Sequence, residues 1–190
     1  PIGIARSDDL GATWQGSLPL KIPDPYTFLA GDGNHIVSMP DGTLVAALDA
    51  ANHTAELFKT GWLAQAFFRS ADDGETWGDM TLLPDRAAEV GLLPLGGQRI
   101  LASCRGMSNP DLGGKTVQLR WSEDCARTWS EAEQLTWVFG QGHGDFARIS
   151  ENTIVAVYEN RYPMNEPEIR ARLSHDLGKT WEAELYVIAQ

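Results

Sequence analysis

An octapeptide that recurs four times constrains this chain more than any other feature. The copies are SDDLGATW from Ser7 to Trp14, SADDGETW from Ser70 to Trp77, SEDCARTW from Ser122 to Trp129 and SHDLGKTW from Ser174 to Trp181. All four follow S-x-D-x-G-x-T-W, with one departure, Ala126 where the others carry Gly11, Gly74 and Gly178. Successive copies start 63, 52 and 52 residues apart. A motif returning at such a period marks a chain built from one supersecondary unit used several times.

The segments around each copy repeat as well. GNHIVSMPDGTLVAALD and LAQAFFRS precede the second copy, and DMTLLP follows it. EVGLLPLGGQRILASCR and TVQLRWS precede the third, with AEQLTWV after it; DFARISENTIVAVYE and EIRARLS precede the fourth, with ELYVIAQ after it. Each unit holds four short β-rich runs, the first two joined by a tight polar turn such as Pro40-Asp41-Gly42. No stretch keeps a helical period for three turns. Four antiparallel strands per unit is the pattern of a propeller blade, so the expected fold class is all-β, a β-propeller of four-stranded antiparallel blades.

The octapeptide then falls in the turn between the third and fourth strands, where each letter has a structural task. Asp9, Asp72, Asp124 and Asp176 are expected to accept hydrogen bonds from backbone N–H groups of the turn. The glycine permits a positive φ. The hydroxyls of Ser7, Ser70, Ser122 and Ser174 and of the threonines are expected to tie neighbouring strand ends, and Trp14, Trp77, Trp129 and Trp181 to cover the hairpins. The motif reads as a fold device, not a reaction centre.

Composition narrows the function classes. With 26 acidic and 15 basic side chains the formal charge is -11, and no basic stripe exists for a nucleic acid. No apolar run approaches the roughly 20 residues of a membrane span. Cys104 and Cys125 fit no metal-ligand spacing; strand geometry places them beyond disulfide reach, as two separate thiols. No metal constellation of usable spacing appears, so metal-independent chemistry without a cofactor is expected. No signal peptide is visible, although the sequence opens on Pro1, not Met.

The four octapeptides resemble the Asp-box, or BNR repeat, of sialidases and related propeller proteins, and the resemblance covers the whole chain. The stretch from His143 to Trp181, with YENRYP, IRARLS and the box, is similar to sialidase-like glycoside hydrolases. That resemblance implies a six-bladed propeller, Asp boxes on the outer rim away from the sugar, and a glycan site at the mouth of the central channel. It also implies a secreted or periplasmic location. Counting strands divides the chain into a half blade over residues 1–23 and blades over 24–84, 85–138 and 139–190, about 14 strands in all. Such an arc leaves an apolar flank at each end, which favours a piece of a longer propeller, with homo-oligomer formation through the flanks as the alternative.

Blade topology sorts the polar residues. The strand 1–2 and strand 3–4 turns share the edge marked by the boxes; the links between blades and the strand 2–3 loops share the other, where a site on a rigid scaffold belongs. Aligning the second strands LVAALD, ILASCR and IVAVYE brings Asp49, Arg105 and Glu159 to equivalent places. Paired carboxylates are what glycosidic cleavage needs, and an arginine grips a substrate carboxylate through two parallel hydrogen bonds. Asp49 and Glu159 are therefore candidate catalytic acids, with Arg105 and Arg161 as substrate-binding residues. His143 and Asp145, in the glycine-flanked GQGHGDF, join the binding set, as does Tyr162. Tyr158 beside Glu159 resembles the tyrosine–glutamate nucleophile pair of sialidases, in which the acid takes the phenol proton. Strand-end charges that only face solvent or one another are the competing reading of all these residues. His53, Glu56 and Arg86 are weaker candidates, and Arg148, in FARIS, only faintly echoes a sialidase arginine motif.

Two functions compete. One is a sialidase-like glycoside hydrolase acting on glycans at the channel mouth; the other is a propeller that only binds glycan or protein, since this fold hosts many non-enzymes.

Overall fold

A computed structural model of the chain describes residues 3–22, 24–30, 36–52, 63–83, 87–106, 116–183 and 185–190. Within them the chain is all-β. A two-stranded sheet pairs β1 (Gly3–Arg6) with β2 (Gln15–Pro19). The second sheet holds β3 (Phe28–Ala30), β4 (Ile36–Ser38), β5 (Leu44–Ala51), β6 (Leu63–Ser70) and β7 (Gly78–Leu83). Its inner strand is split, β3 and β4 pairing with opposite halves of β5, which brings the strands among the described residues to 15. The third sheet runs β8 (Ala87–Gly96), β9 (Arg99–Gly106), β10 (Thr116–Ser122) and β11 (Glu133–Gln134). The fourth runs β12 (Asp145–Arg148), β13 (Ile154–Asn160), β14 (Glu168–Ser174) and β15 (Tyr186–Ala189). Every pairing is antiparallel. Among the described residues no helix is long and apolar enough to cross a membrane.

One outer strand is shorter than its sequence suggests. AEQLTWV keeps only two ladder residues, because Leu135 and Thr136 both turn their N–H groups to the Val117 carbonyl and the Thr136 hydroxyl accepts the Val117 N–H. The chain leaves the sheet there and carries Trp137 into solvent.

All four octapeptides form one hydrogen-bonded knot. The serine hydroxyl donates to the aspartate and accepts the N–H four residues on; in the fourth box these distances are 2.8 Å to Asp176 and 2.8 Å from Gly178. The aspartate in turn accepts the threonine N–H and hydroxyl, at 2.8 and 2.6 Å from Thr180 to Asp176. The same bonds recur around Asp9, Asp72 and Asp124. The serine and threonine hydroxyls thus serve the turn itself, not the neighbouring strand ends. Two successive residues take positive φ in each knot, and in the third box these are Cys125 at 60° and Ala126 at 63°. Ala126 sustains a backbone form in which glycine is unstrained.

Three apolar layers lie between successive sheets. Ile4 and Leu20 meet Ala46, Leu48 and Phe68; Val45 and Phe67 meet Ile100, Ala102 and Cys104; Leu101, Val117 and Leu119 meet Ile154, Ala156 and Tyr158. Trp77, Trp129 and Trp181 each join the layer toward the preceding sheet, Trp129 with its ring centroid 4.9 Å from that of Phe67. Trp14 belongs to the first sheet, meets no such layer among the described residues and is 65% exposed. Buried Arg69 clamps two sheets, its Nε donating to the Cys125 carbonyl at 2.6 Å. Both cysteines are free and buried.

Candidate functional site

Strand register places the three aligned residues at one level. Leu44, Ile100 and Ile154 each pair with the first serine of a box, Ser70, Ser122 and Ser174. Asp49, Arg105 and Glu159 each lie five residues further along, opposite Gln65, Val117 and Ile169. At about 3.3 Å per residue that is roughly 16 Å from the boxes, at the other edge of the sheets.

The inner strands are irregular at this level. Ala88 pairs with Arg105, and the register then slips before Gly91 meets Ser103, a bulge in which Glu89 takes φ of 52°. In the next sheet Gly142 accepts the N–H of Glu159 at 3.2 Å, and the following residue, His143, takes φ of 47°. A positive φ costs a residue with a side chain about 1 kcal/mol or more, and such outliers collect at sites where geometry is over-determined. Here the bulges turn Glu89 and His143 toward each other. Gly144 and Gly91 permit the approach: a Cβ on Gly144 would stand 2.8 Å from Val117 Cγ1, and one on Gly91 2.7 Å from Ser103 Oγ.

Six charged or titratable side chains converge. Glu89 Oε1 lies 2.5 Å from Arg105 Nη1, and Glu89 Oε2 lies 2.7 Å from His143 Nδ1. The other ring nitrogen of His143, Nε2, is 3.5 Å from Glu159 Oε1. Arg161 holds Glu159 through Nη2 at 2.7 and 3.0 Å and Nε at 3.3 Å. Asp49 enters from the second sheet, its Oδ1 accepting the Glu89 N–H at 3.2 Å, which pins the bulge. The Glu89 side chain is 7% exposed and that of Glu159 24%, so the first carboxylate is the deeper. An arginine partner offsets the cost of placing such a carboxylate away from water.

The remaining candidates divide. Asp145 turns into the gap between sheets, near Gly91, and its Oδ1 accepts the Phe146 N–H at 2.7 Å. Tyr158 faces away from Glu159 because neighbouring strand residues alternate; it is 2% exposed within the layer between the third and fourth sheets, where burial raises its phenol pKa. Tyr162 lies just beyond Arg161, its ring stacked on Phe139. Arg148 ends β12 at the box edge. His53, Glu56 and Arg86 lie outside the described residues. Glu89 itself is absent from the sequence-derived set. The signal for it was a lone charge in an apolar run, two residues before a glycine, at a strand entry.

Two cavities bear on this arrangement. One of about 290 Å³ opens beside the cluster and is lined by Glu159, Asn160, Arg161, Glu168 and Ile169. A larger one of about 620 Å³ lies at the box edge, between Trp121, Glu123, His175 and Lys179, and shares no residue with the cluster.

Successive antiparallel sheets, with Asp boxes on one edge and acids and arginines on the other, define a β-propeller built from Asp-box repeats. More closely, the chain belongs to the BNR repeat-like domain family, whose model matches residues 2–190. A GH93 α-L-arabinofuranosidase of Fusarium graminearum, solved with arabinobiose, superposes at a TM-score of 0.75 and 16% identity, over 98% of this chain and 58% of the other. A protein of unknown function from Dyadobacter fermentans superposes at 0.69 and 18% identity, over 96% and 57%. The sialidase of Trypanosoma rangeli, solved with sialic acid, does so at 0.61 and 16%, over 94% and 31%. This chain thus spans less than two thirds of each of these structures. No curated protein matches it.

Proposed function

We propose that this protein is a glycoside hydrolase that cleaves glycans at the channel-side edge of the propeller, with Glu89 and Glu159 as the working carboxylates. One observation carries the reading: two glutamates from neighbouring sheets stand one imidazole ring apart, each beside an arginine. Glycosidic cleavage needs such a pair, one acid to protonate the leaving oxygen and one carboxylate opposite it. Glu89, held by Arg105, His143 and the Asp49 bond to its backbone, serves as the carboxylate opposite the leaving oxygen. Glu159, nearer solvent, takes a proton from water when a substrate group displaces Arg161 and passes it to the leaving oxygen. Arg105 and Arg161 also suit an acidic sugar. Asp49 acts through Glu89, and His143 positions both acids. The neighbours solved with arabinobiose and with sialic acid support a glycan as the ligand.

The test is hydrolysis of a panel of chromogenic glycosides together with arabinobiose and 3'-sialyllactose, each beside its parent monosaccharide as a binding control. Cleavage of at least one member, lost in Glu89→Gln and in Glu159→Gln, is the expected result. Binding without cleavage would instead assign the second reading, a non-catalytic glycan-binding propeller. The ion pairs themselves favour that alternative, because each acid already has an arginine partner in the free chain.

A further inference from the structure

We infer that His143 is a proton-dependent clamp: as an imidazolium it ties Glu89 of the third sheet to Glu159 of the fourth, and the two carboxylates hold their common geometry only while the ring keeps that proton. In function the inference rests on the hydrolase reading above and adds to it a regulation of the same site. The clamp itself is measurable without any reaction.

Its basis is the placing of the two ring nitrogens. Nδ1 lies 2.7 Å from Glu89 Oε2, and Nε2 lies 3.5 Å from Glu159 Oε1. A carboxylate only accepts, whereas a neutral imidazole donates from one nitrogen and presents a lone pair at the other. A neutral ring in this place therefore sets a lone pair against a carboxylate oxygen. Only the imidazolium donates at both ends.

The charges around the ring point the same way. Among the described residues the cluster and its margin hold the carboxyl groups of Asp49, Glu89, Asp145 and Glu159 against the guanidinium groups of Arg105 and Arg161. Arg105 meets Glu89 at Oε1 and Arg161 meets Glu159, while the ring meets Glu89 at the other oxygen, Oε2. A positive charge on the ring opposes this excess of acid, and an opposite charge nearby favours the protonated imidazole.

The backbone holds the ring where it is. Gly142 O accepts the Glu159 N–H at 3.2 Å, and Gly144 O accepts the Ser103 hydroxyl. Between them His143 takes φ of 47°, a left-handed form that histidine enters more readily than most residues with a side chain. With the main chain tied to both sheets, loss of the proton is answered by side chains: Glu159, the more exposed acid, turns to Arg161 and water, and buried Glu89 stays. The His143 side chain is 40% exposed, so solvent exchanges its proton directly. The clamp is closed at low pH and opens as pH rises.

The test is nitrogen-15 NMR of the histidine rings of the whole chain, followed from about pH 5 to pH 9, with His143→Asn to identify its signals among the four histidines. The expected result is a ring protonated on both nitrogens at neutral pH, with the midpoint of proton loss shifted to lower pH in Glu89→Gln and in Glu159→Gln. A His143 ring already neutral there in the unmodified chain, an observation that needs no variant, would overturn the clamp. So would a midpoint that moves in Glu89→Gln but not in Glu159→Gln, since a pairing with one acid bridges nothing. For any glycoside that the unmodified chain cleaves, the alkaline limb of turnover should coincide with the ring midpoint, and a limb lying elsewhere would overturn the regulation. No cleavage of any glycoside, with the ring signals as expected, would end the hydrolase reading and leave the clamp standing.

Discussion

Glu89 and His143 meet at 2.7 Å, Oε2 to Nδ1, one from β8 and the other from the segment that leads into β12 of the neighbouring sheet, and both hold positive φ. Each sits one residue past the inner-strand partner of a second-strand charge, Arg105 in one sheet and Glu159 in the other. The same irregularity, used at the same level in two repeats, builds the cluster.

Replacing Glu89 by glutamine keeps its shape and removes the charge that Arg105 and His143 face. If the chain is a hydrolase, turnover falls on the order of 10²-fold to 10⁴-fold in Glu89→Gln, measured on whichever glycoside the parent cleaves. Parental turnover in the variant would remove Glu89 from the reaction.

Arg105→Ala leaves a carboxylate of 7% exposure without its guanidinium. Losing one partner of a buried ion pair costs about 3 kcal/mol, so the urea midpoint should drop sharply. The double variant Arg105→Ala with Glu89→Leu should recover part of that loss, because no charge then remains stranded. Equal stability of parent and Arg105→Ala would mean that water already satisfies Glu89.

The boxes are structural, and Asp176→Ala tests this directly. It removes the acceptor of the Thr180 N–H and hydroxyl and should cost about 1–3 kcal/mol in urea unfolding. Sugar binding by the folded variant should not change, since the box and the cluster occupy opposite edges. Abolished binding in a folded protein would contradict that separation.

The same knots set the acid limit of stability. The threonine hydroxyl first, then the threonine N–H and the serine hydroxyl, lower Asp9, Asp72 and Asp176 from 3.8 to about 2. Asp124 is lowered too: burial works the other way, and the bonds from Thr128 and Ser122 outweigh it. Folded carboxylates of depressed pKa bind fewer protons than unfolded ones. Their contribution is complete above about pH 4 and disappears as pH falls through about 2. Unfolding midpoints should decline over that window, and asparagine at any of these aspartates should flatten the decline.

Ala126 occupies the left-handed position that glycine fills in the other boxes. Glycine there would relieve about 1 kcal/mol of backbone strain. It would also lose about 0.8 kcal/mol of methyl burial, since Ala126 is fully buried against the second sheet, and would add about 0.5–1 kcal/mol of unfolded-state entropy. Ala126→Gly should therefore not stabilise the protein. A melting temperature raised by several degrees would show that strain dominates.

Much of the fold was legible because it is written in repetition. Four octapeptides and their flanking runs specify turn, strand and period locally, and the level shared by Asp49, Arg105 and Glu159 followed from counting along equivalent strands. Strict alternation along β13 sets Tyr158 on the face opposite Glu159, a placement that spacing alone decides. Glu89 shows where counting fails, since a bulge shifts every later side chain by one place and leaves no unique mark in sequence.

The sequence by itself determined the all-β repeat, the chemistry of the boxes and the edge on which charges gather, because these depend on bonds and spacings within one unit. Tertiary structure decided which charges meet. Asp49 turned to the Glu89 backbone and Glu89 to His143, each across a junction of separate units, while Glu89 met Arg105 and Phe139 stacked on Tyr162 within one unit. Such contacts depend on how one sheet packs against the next and on where two inner strands bulge. Those quantities belong to the assembled layers, and no single stretch of residues encodes them.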